Sequence, residues 1–236
     1  MKIEILFPEL CNLFGDLANV RYLTMAVPDA EIIQTGIKSR PYFADSEPDL
    51  IFMCSMTERA QEIVAQALVP HRVRIAQLID GGTAFLITGN ALEIFGKYIE
   101  KDDKSRIETL GIFDTYAQRS MMSRYNALYW GKFEDIDVFG FKSQFSHSYG
   151  ERGDGLFTTV RGAGLHPREQ MEGVRRNRFM ATYLLGPLLI LNPPFMRRFL
   201  QMLGVEDPKL AFEDAAMAAY EQRKKEFTDP KTGFDY

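Results

Sequence analysis

Residues 49–54 read Asp-Leu-Ile-Phe-Met-Cys, an apolar run without alternation. A strand with one wet face alternates apolar and polar residues; a strand without alternation is covered on both faces. Short, doubly buried strands belong to parallel sheets with helices on either side. The flanking segments fit that frame. Residues 3–7 and 31–37 are strand-like, and 85–87 (Phe-Leu-Ile) are again a short apolar run. Between them, 16–25 reads as a helix with Asp16 as its cap. Residues 57–68 form an amphipathic helix capped by Thr57, and 70–78 add further helical turns. Strand and helix in this order predict a mainly parallel central sheet, whose ligands bind outside the carboxyl ends of the strands. The loops 9–16, 54–59 and 88–91 all follow strands and therefore converge there.

Beyond residue 98 the pattern changes. Residues 100–106 read as a charged surface loop. Segments 125–133, 136–141 and 156–161 alternate like antiparallel or mixed strands, and 178–184 is a further strand. Residues 193–203 form a helix entered by two prolines and closed by Gly204. Residues 207–227 form a long charged helix, and the tail after Asp229 is expected to fray. The expected organisation is one domain over 1–205, with a C-terminal helix and tail, 206–236, packed on it.

Composition excludes several functions. The chain has 236 residues and a formal net charge of −4, so it lacks the basic footprint of a nucleic-acid binder. No 18-residue apolar run predicts a membrane span, and the N-terminus is too short and acidic for a signal peptide. Cys11 and Cys54 are far apart and without a spacing motif, which fits a reducing cytoplasm. The three histidines, His71, His147 and His166, have no metal-ligand spacing, and no cofactor is expected.

Residues 85–98 (FLITGNALEIFGKY) read as strand, tight break and helix, the corner at which many α/β enzymes hold a nucleophile. Together with LFGDLANV (13–20), DLIFMCSMTERAQ (49–61), LGIFDTYAQR (110–119) and ATYLLGP (181–187), this corner resembles the class I glutamine amidotransferases. The similarity is to their cobyric acid synthase (CobB/CobQ) branch, and within it to the GatD-type glutaminase subunits of lipid II isoglutaminyl synthase. The resemblance spans about residues 1–205 and implies a flavodoxin-like fold.

At two positions the chain departs from that family. The resemblance places Thr88 where the family carries its cysteine, and Leu185 where it carries its histidine. The family mechanism needs a thiolate and a histidine that holds it activated. A threonine hydroxyl facing a leucine cannot replace that pair, so no glutaminase activity is expected. The family's glycine-rich oxyanion loop is here Cys54-Ser55-Met56-Thr57, whose side chains, Met56 above all, are expected to fill part of the pocket. By the same resemblance, Arg124 falls near the arginine that holds the glutamine carboxylate, Arg59 matches an arginine of the turn after the second loop, and Gly89 and Asn90 complete the elbow.

Each of these residues also has a simpler reading. Cys54, the one substitute nucleophile at the ligand-facing edge, is equally a small buried hydrophobe. Cys11 could approach the same edge but lacks a base. Arg59 suits a surface ion pair and Asn90 a turn. His147 reads as a loop-stabilising residue, His166 as part of a turn, and His71 as structural. Two functions remain open. One is a non-catalytic binding or regulatory subunit, paired with a Mur-ligase-like synthetase and able at most to hold a glutamine-like molecule. The other is an enzyme of altered mechanism using Cys54 or Thr88.

Overall fold

A computed structural model of the protein describes residues 1–151 and 153–235. The N-terminal half runs β1 (Lys2–Leu6), α1 (Ala18–Ala26), β2 (Glu31–Thr35), β3 (Leu50–Met53), α2 (Glu58–Leu68), α3 (Arg72–Asp80) and β4 (Ala84–Thr88). A 3-10 segment, Gly89–Phe95, follows β4. Next come β5 (Tyr98–Glu100), β6 (Arg106–Glu108), β7 (Asp114–Arg119), β8 (Tyr125–Phe133), β9 (Ile136–Gln144), β10 (Ser146–Glu151), β11 (Phe157–Arg161) and β12 (Met171–Glu172). The chain closes with β13 (Val174–Arg176), β14 (Phe179–Thr182), α4 (Leu188–Leu191), α5 (Pro193–Met202) and α6 (Glu213–Thr228).

The central sheet has the order β13-β14-β4-β3-β1-β2. Every pairing from β14 to β2 is parallel, and β13 joins the edge antiparallel to β14. Every residue of β3, β4 and β14 is buried, which is the physical basis of their unbroken apolar runs. Thr57 caps α2 as expected, its hydroxyl accepting from the Ala60 N–H at 3.2 Å. Two further four-stranded sheets, β10-β7-β5-β6 and β12-β11-β8-β9, form the second half. The second half reaches the sheet edge through β9, where the Leu185 N–H donates to the Phe141 carbonyl at 3.0 Å.

Several expectations are corrected. Residues 100–106 are not simply a surface loop: β5 and β6 pair as an antiparallel hairpin across them. Its strands have three residues each, too few for an alternation signal. The segment after β4 is a 3-10 turn and not an α-helix. The tail does not fray. The Leu128 N–H donates to the Phe234 carbonyl at 2.7 Å, and Phe234 is buried in a small core with Phe139, Tyr220 and Phe227. Arg161 lies over the Phe234 ring at 4.2 Å. A single aromatic anchor near the end of the chain holds the segment in a way that a reading of polar composition misses. Three arginines around β13 serve the fold: Arg175 faces Glu134, Arg176 faces Asp80, and Arg178 donates to backbone carbonyls.

One ion pair ties the second half to the sheet. Lys142 of β9 and Glu172 of β12 are essentially without solvent contact and lie 3.5 Å apart. The Lys142 ammonium donates to the carbonyls of Ala163 and Gly164 at 2.8 and 2.6 Å. Glu172 accepts from the Thr182 hydroxyl at 2.5 Å and the Tyr183 N–H at 2.8 Å, just after β14. Burial pushes the Lys142 pKa down and Glu172 opposes that shift. Removing one member of such a pair strands the other charge. Lys142→Met should therefore lose about 3 kcal/mol or more in urea unfolding, with partial recovery when Glu172→Leu is added.

Candidate functional site

The loops after β1, β3, β4 and β14 meet at the carboxyl edge of the sheet, and one carboxylate joins them. Asp16 accepts from the Thr88 hydroxyl at 2.7 Å, the Gly186 N–H at 2.8 Å and the Ser55 hydroxyl at 3.3 Å. Asp16 is thus not the side-chain cap of α1, which has none. Its carboxylate is wholly buried. Burial raises its pKa to about 6, against the lowering pull of Gly186, Thr88 and Ser55. The geometry accommodates the proton. Ser55 has one hydroxyl hydrogen and two acceptors in reach, the Leu13 carbonyl at 2.9 Å and Asp16. A protonated Asp16 supplies the second hydrogen itself.

The corner after β4 sits one residue later than its sequence suggests. Thr88 has extended backbone, and the positive φ of +64° falls on Gly89. The Thr88 side chain is fully buried and turned to Asp16, outside the walls of the adjoining cavity. Gly89 does face that cavity but has no room for a side chain. A Cβ placed there would lie 2.5 Å from Ser55 Cβ and 2.9 Å from Leu185 Cδ2. Ser55 and Leu185, rather than Met56, close the approach to the corner.

The cavity has a volume of about 260 Å3. Leu13, Phe14, Met56, Tyr183 and Leu185 give it apolar walls, while Glu58, Arg124, Ser143 and Gln144 bring polar groups to it. One backbone donor at its wall is engaged. The Met56 N–H donates to Asn90 Oδ1 at 3.0 Å, and Asn90 Nδ2 returns a bond to the Met56 carbonyl at 2.8 Å. An oxyanion therefore finds that amide occupied. Beneath the cavity, buried Glu93 accepts from Ser146 at 2.5 Å, Gln61 at 2.9 Å and Tyr183 at 3.1 Å. Burial raises the Glu93 pKa, opposed by those bonds and by Arg119. The Gln144 Oε1 has no partner among the described residues.

No family model matches the chain. It is 24% identical over 190 residues to the lipid II isoglutaminyl synthase (glutamine-hydrolyzing) subunit GatD of Staphylococcus aureus (strain N315), covering 77% of this chain and 75% of that one. It is 22% identical to the corresponding subunit of Streptococcus pneumoniae (strain ATCC BAA-255 / R6), covering 100% and 94%. A glutamine amidotransferase crystal structure superposes with a TM-score of 0.54 at 12% identity, over 86% of this chain and 99% of that one. Another, from Thermotoga maritima, gives 0.55 at 10% identity, over 96% and 91%. The chain is GatD-like, with the glutamine amidotransferase fold.

In this GatD-like chain the residues singled out by sequence fall into two groups. Gly89, Asn90, Arg124 and Leu185 all line the cavity. Arg59 does not. It lies in a separate surface depression among Glu58, Glu62, Asp102 and Asp103, because the first turn of α2 directs it outward. Cys54 is fully buried and absent from the cavity wall; its Sγ lies 2.8 Å from the Cys11 carbonyl, and burial pushes its thiol pKa far up. Cys11 is buried as well, its Sγ 3.8 Å from Met56 Sδ, and burial raises its pKa to about 12. Neither sulfur has the exposure or the base that a thiolate nucleophile needs. His147 lies against Tyr125, His166 stacks on Tyr149, and His71 meets Phe43 edge-on. Burial lowers the His147 pKa. Asp16, Glu93 and Gln61 were not visible as site residues; a carboxylate inside an apolar helix start or turn was the available signal.

Two predictions follow from this joint. A folded-state pKa above the unfolded value means that the native protein holds the Asp16 proton more tightly, so stability falls as pH rises from about 4 to 6. A shift of about two units corresponds to on the order of 3 kcal/mol. Across that window the stability of the parent relative to Asp16→Asn should decline by up to that amount, measured as paired urea unfolding curves. Gly89→Ala should destabilise by about 2–3 kcal/mol through positive φ and overpacking, and Ser55→Gly should recover part of the loss in the double variant.

Proposed function

We propose that this GatD-like chain is a non-catalytic binding or regulatory subunit on an amidotransferase scaffold. The observation that carries this reading is the corner after β4. The chain bends at Gly89, one residue after the Thr88 that the resemblance sets at the cysteine position, and Ser55 and Leu185 occupy the space that a side chain at the bend would need. Leu185, at the position that the resemblance gives to histidine, offers no base. Loss of nucleophile and base together removes glutamine hydrolysis by the family mechanism.

An altered enzyme would have to bring Cys54 or Thr88 to a substrate. Both are fully buried, and neither lines the cavity. What remains is a small pocket with Arg124 at its wall, suited to a small polar molecule that binds without reacting. The curated relatives are subunits of a synthase. By analogy, this chain would pair in the cytoplasm with a Mur-ligase-like synthetase and position or regulate it. Residues 1–205 would form the amidotransferase-like domain and 206–236 the piece appended to it.

Purified protein incubated with glutamine should release no ammonium above the protein-free blank in a glutamate dehydrogenase-coupled assay. Ammonia release that disappears in Cys54→Ala or Thr88→Val would overturn the reading. Crosslinking and co-purification from the native cell should recover a synthetase, and the absence of any specific partner at native expression would count against the subunit role.

A further inference from the structure

A second basin, of about 420 Å3, lies beside the first cavity and shares Arg124 with it. Its walls are the turn 101–104 between β5 and β6 and the turn 120–124 between β7 and β8; Tyr125, Phe145, His147 and Tyr149 complete it. Four cationic side chains line it, Lys101, Lys104, Arg119 and Arg124, against two carboxylates, Glu100 and Asp102. Most of these charges are already engaged. Glu100 is held by both Lys104 and Arg106, each at 3.2 Å, and Arg119 by Glu62 and Gln61. Among the described residues, Lys101 and Arg124 form no ion pair, although Lys101 lies near enough to Asp103 to help lower its pKa, and the hydroxyls of Ser120 and Ser123 have no hydrogen-bond partner. The lining itself carries four cations against two carboxylates, in a chain whose net charge is −4.

The walls are held in place before any ligand arrives. Asp102 Oδ2 accepts from the Met121 N–H at 2.9 Å and so ties one turn to the other. The Ser120 N–H donates to the Phe145 carbonyl at 2.7 Å, and Arg124 lies over the Phe145 ring at 4.8 Å. Two cations and two hydroxyls from separate walls suit an acceptor with oxygens pointing in several directions. A carboxylate presents two oxygens in one plane; a phosphoryl group presents three, tetrahedrally, and carries more charge. The volume leaves room for the rest of a small molecule.

We infer that this basin is a binding site for the phosphoryl group of a small phosphomonoester, held by Lys101 and Arg124 with Ser120 and Ser123. The site is distinct from the cavity at the β4 corner, which Lys101 does not line; Lys101 stands between the basin and the surface depression that holds Arg59. Arg124 stands in the wall between the two.

Titration of the full chain with inorganic phosphate, followed by amide NMR, tests the assignment. Saturable binding is expected with a Kd on the order of 1 mM, weakening as sodium chloride is raised. Shifts should be confined to residues 101–104, 120–125 and 145–149. Lys101→Ala and Arg124→Ala should each weaken binding about five- to tenfold, and both are exposed enough to leave the fold intact. Ribose 5-phosphate and AMP, used as probes of a sugar-linked and a base-bearing phosphomonoester, should bind at least as tightly as phosphate, and acetate much more weakly. Absence of saturable phosphate binding, equal affinity for acetate, or affinity unchanged in both variants would overturn the assignment. Because Lys101 does not touch the first cavity, a loss seen in Arg124→Ala but not in Lys101→Ala would also overturn it and would move the anion to that cavity.

Discussion

The carboxylate of Asp16 is the joint on which this sheet edge depends. Loops after four parallel strands would otherwise separate at the carboxyl edge, where doubly wound proteins open a crevice. Here Thr88 at the end of β4, Ser55 after β3 and Gly186 after β14 all donate to one acid from the loop after β1. Desolvation of that acid is unfavourable, and the three bonds offset part of it. The functional consequence is as large as the structural one. Hydroxyls that could have served chemistry, on Thr88 and Ser55, are committed to holding the loops together.

That commitment also accounts for the form of the corner. A nucleophile elbow bends the chain through a backbone conformation that is strained for a residue with a side chain, and the strain is tolerated because the chemistry needs it. Glycine takes the same bend without strain. With Gly89 at the bend, Ser55 and Leu185 close over it and pack where a side chain would stand. With glycine at the bend, packing and backbone preference act in the same direction, and both favour the closed corner.

The fold was legible because its signals are long and redundant. The unbroken apolar runs of β3 and β4, the Thr57 cap and the proline-led α5 each encode their own geometry. The gathering of Gly89, Asn90 and Leu185 around one cavity followed from strand order, and the place of Arg124 beside them from the resemblance. What escaped was information of a single residue. The placement of the bend at Gly89 rather than Thr88 depends on one φ angle, which no periodicity records. The role of Asp16 depends on three partners up to 170 residues away. The docking of the tail centres on Phe234, helped by Arg161 donating to tail carbonyls, against a polar background. Arg59 shows the reverse error: a motif match fixes a residue's place in the chain, while the phase of α2 fixes the direction of its side chain.

The mouth of the cavity carries a backbone constraint of its own. Phe14 occupies the left-handed region at φ +59°, 41% exposed, with its ring edge-on to Phe141 at 5.7 Å. For a bulky residue this conformation costs on the order of 1–2 kcal/mol, and an exposed ring recovers little of that through burial. A corner relieved of strain by Gly89 thus stands beside a mouth that still bears it. Strain at the rim, above a corner that is free of it, holds an aromatic side chain at the cavity wall. The Asn90–Met56 pair rigidifies that wall from the other side by satisfying the Met56 amide and carbonyl together.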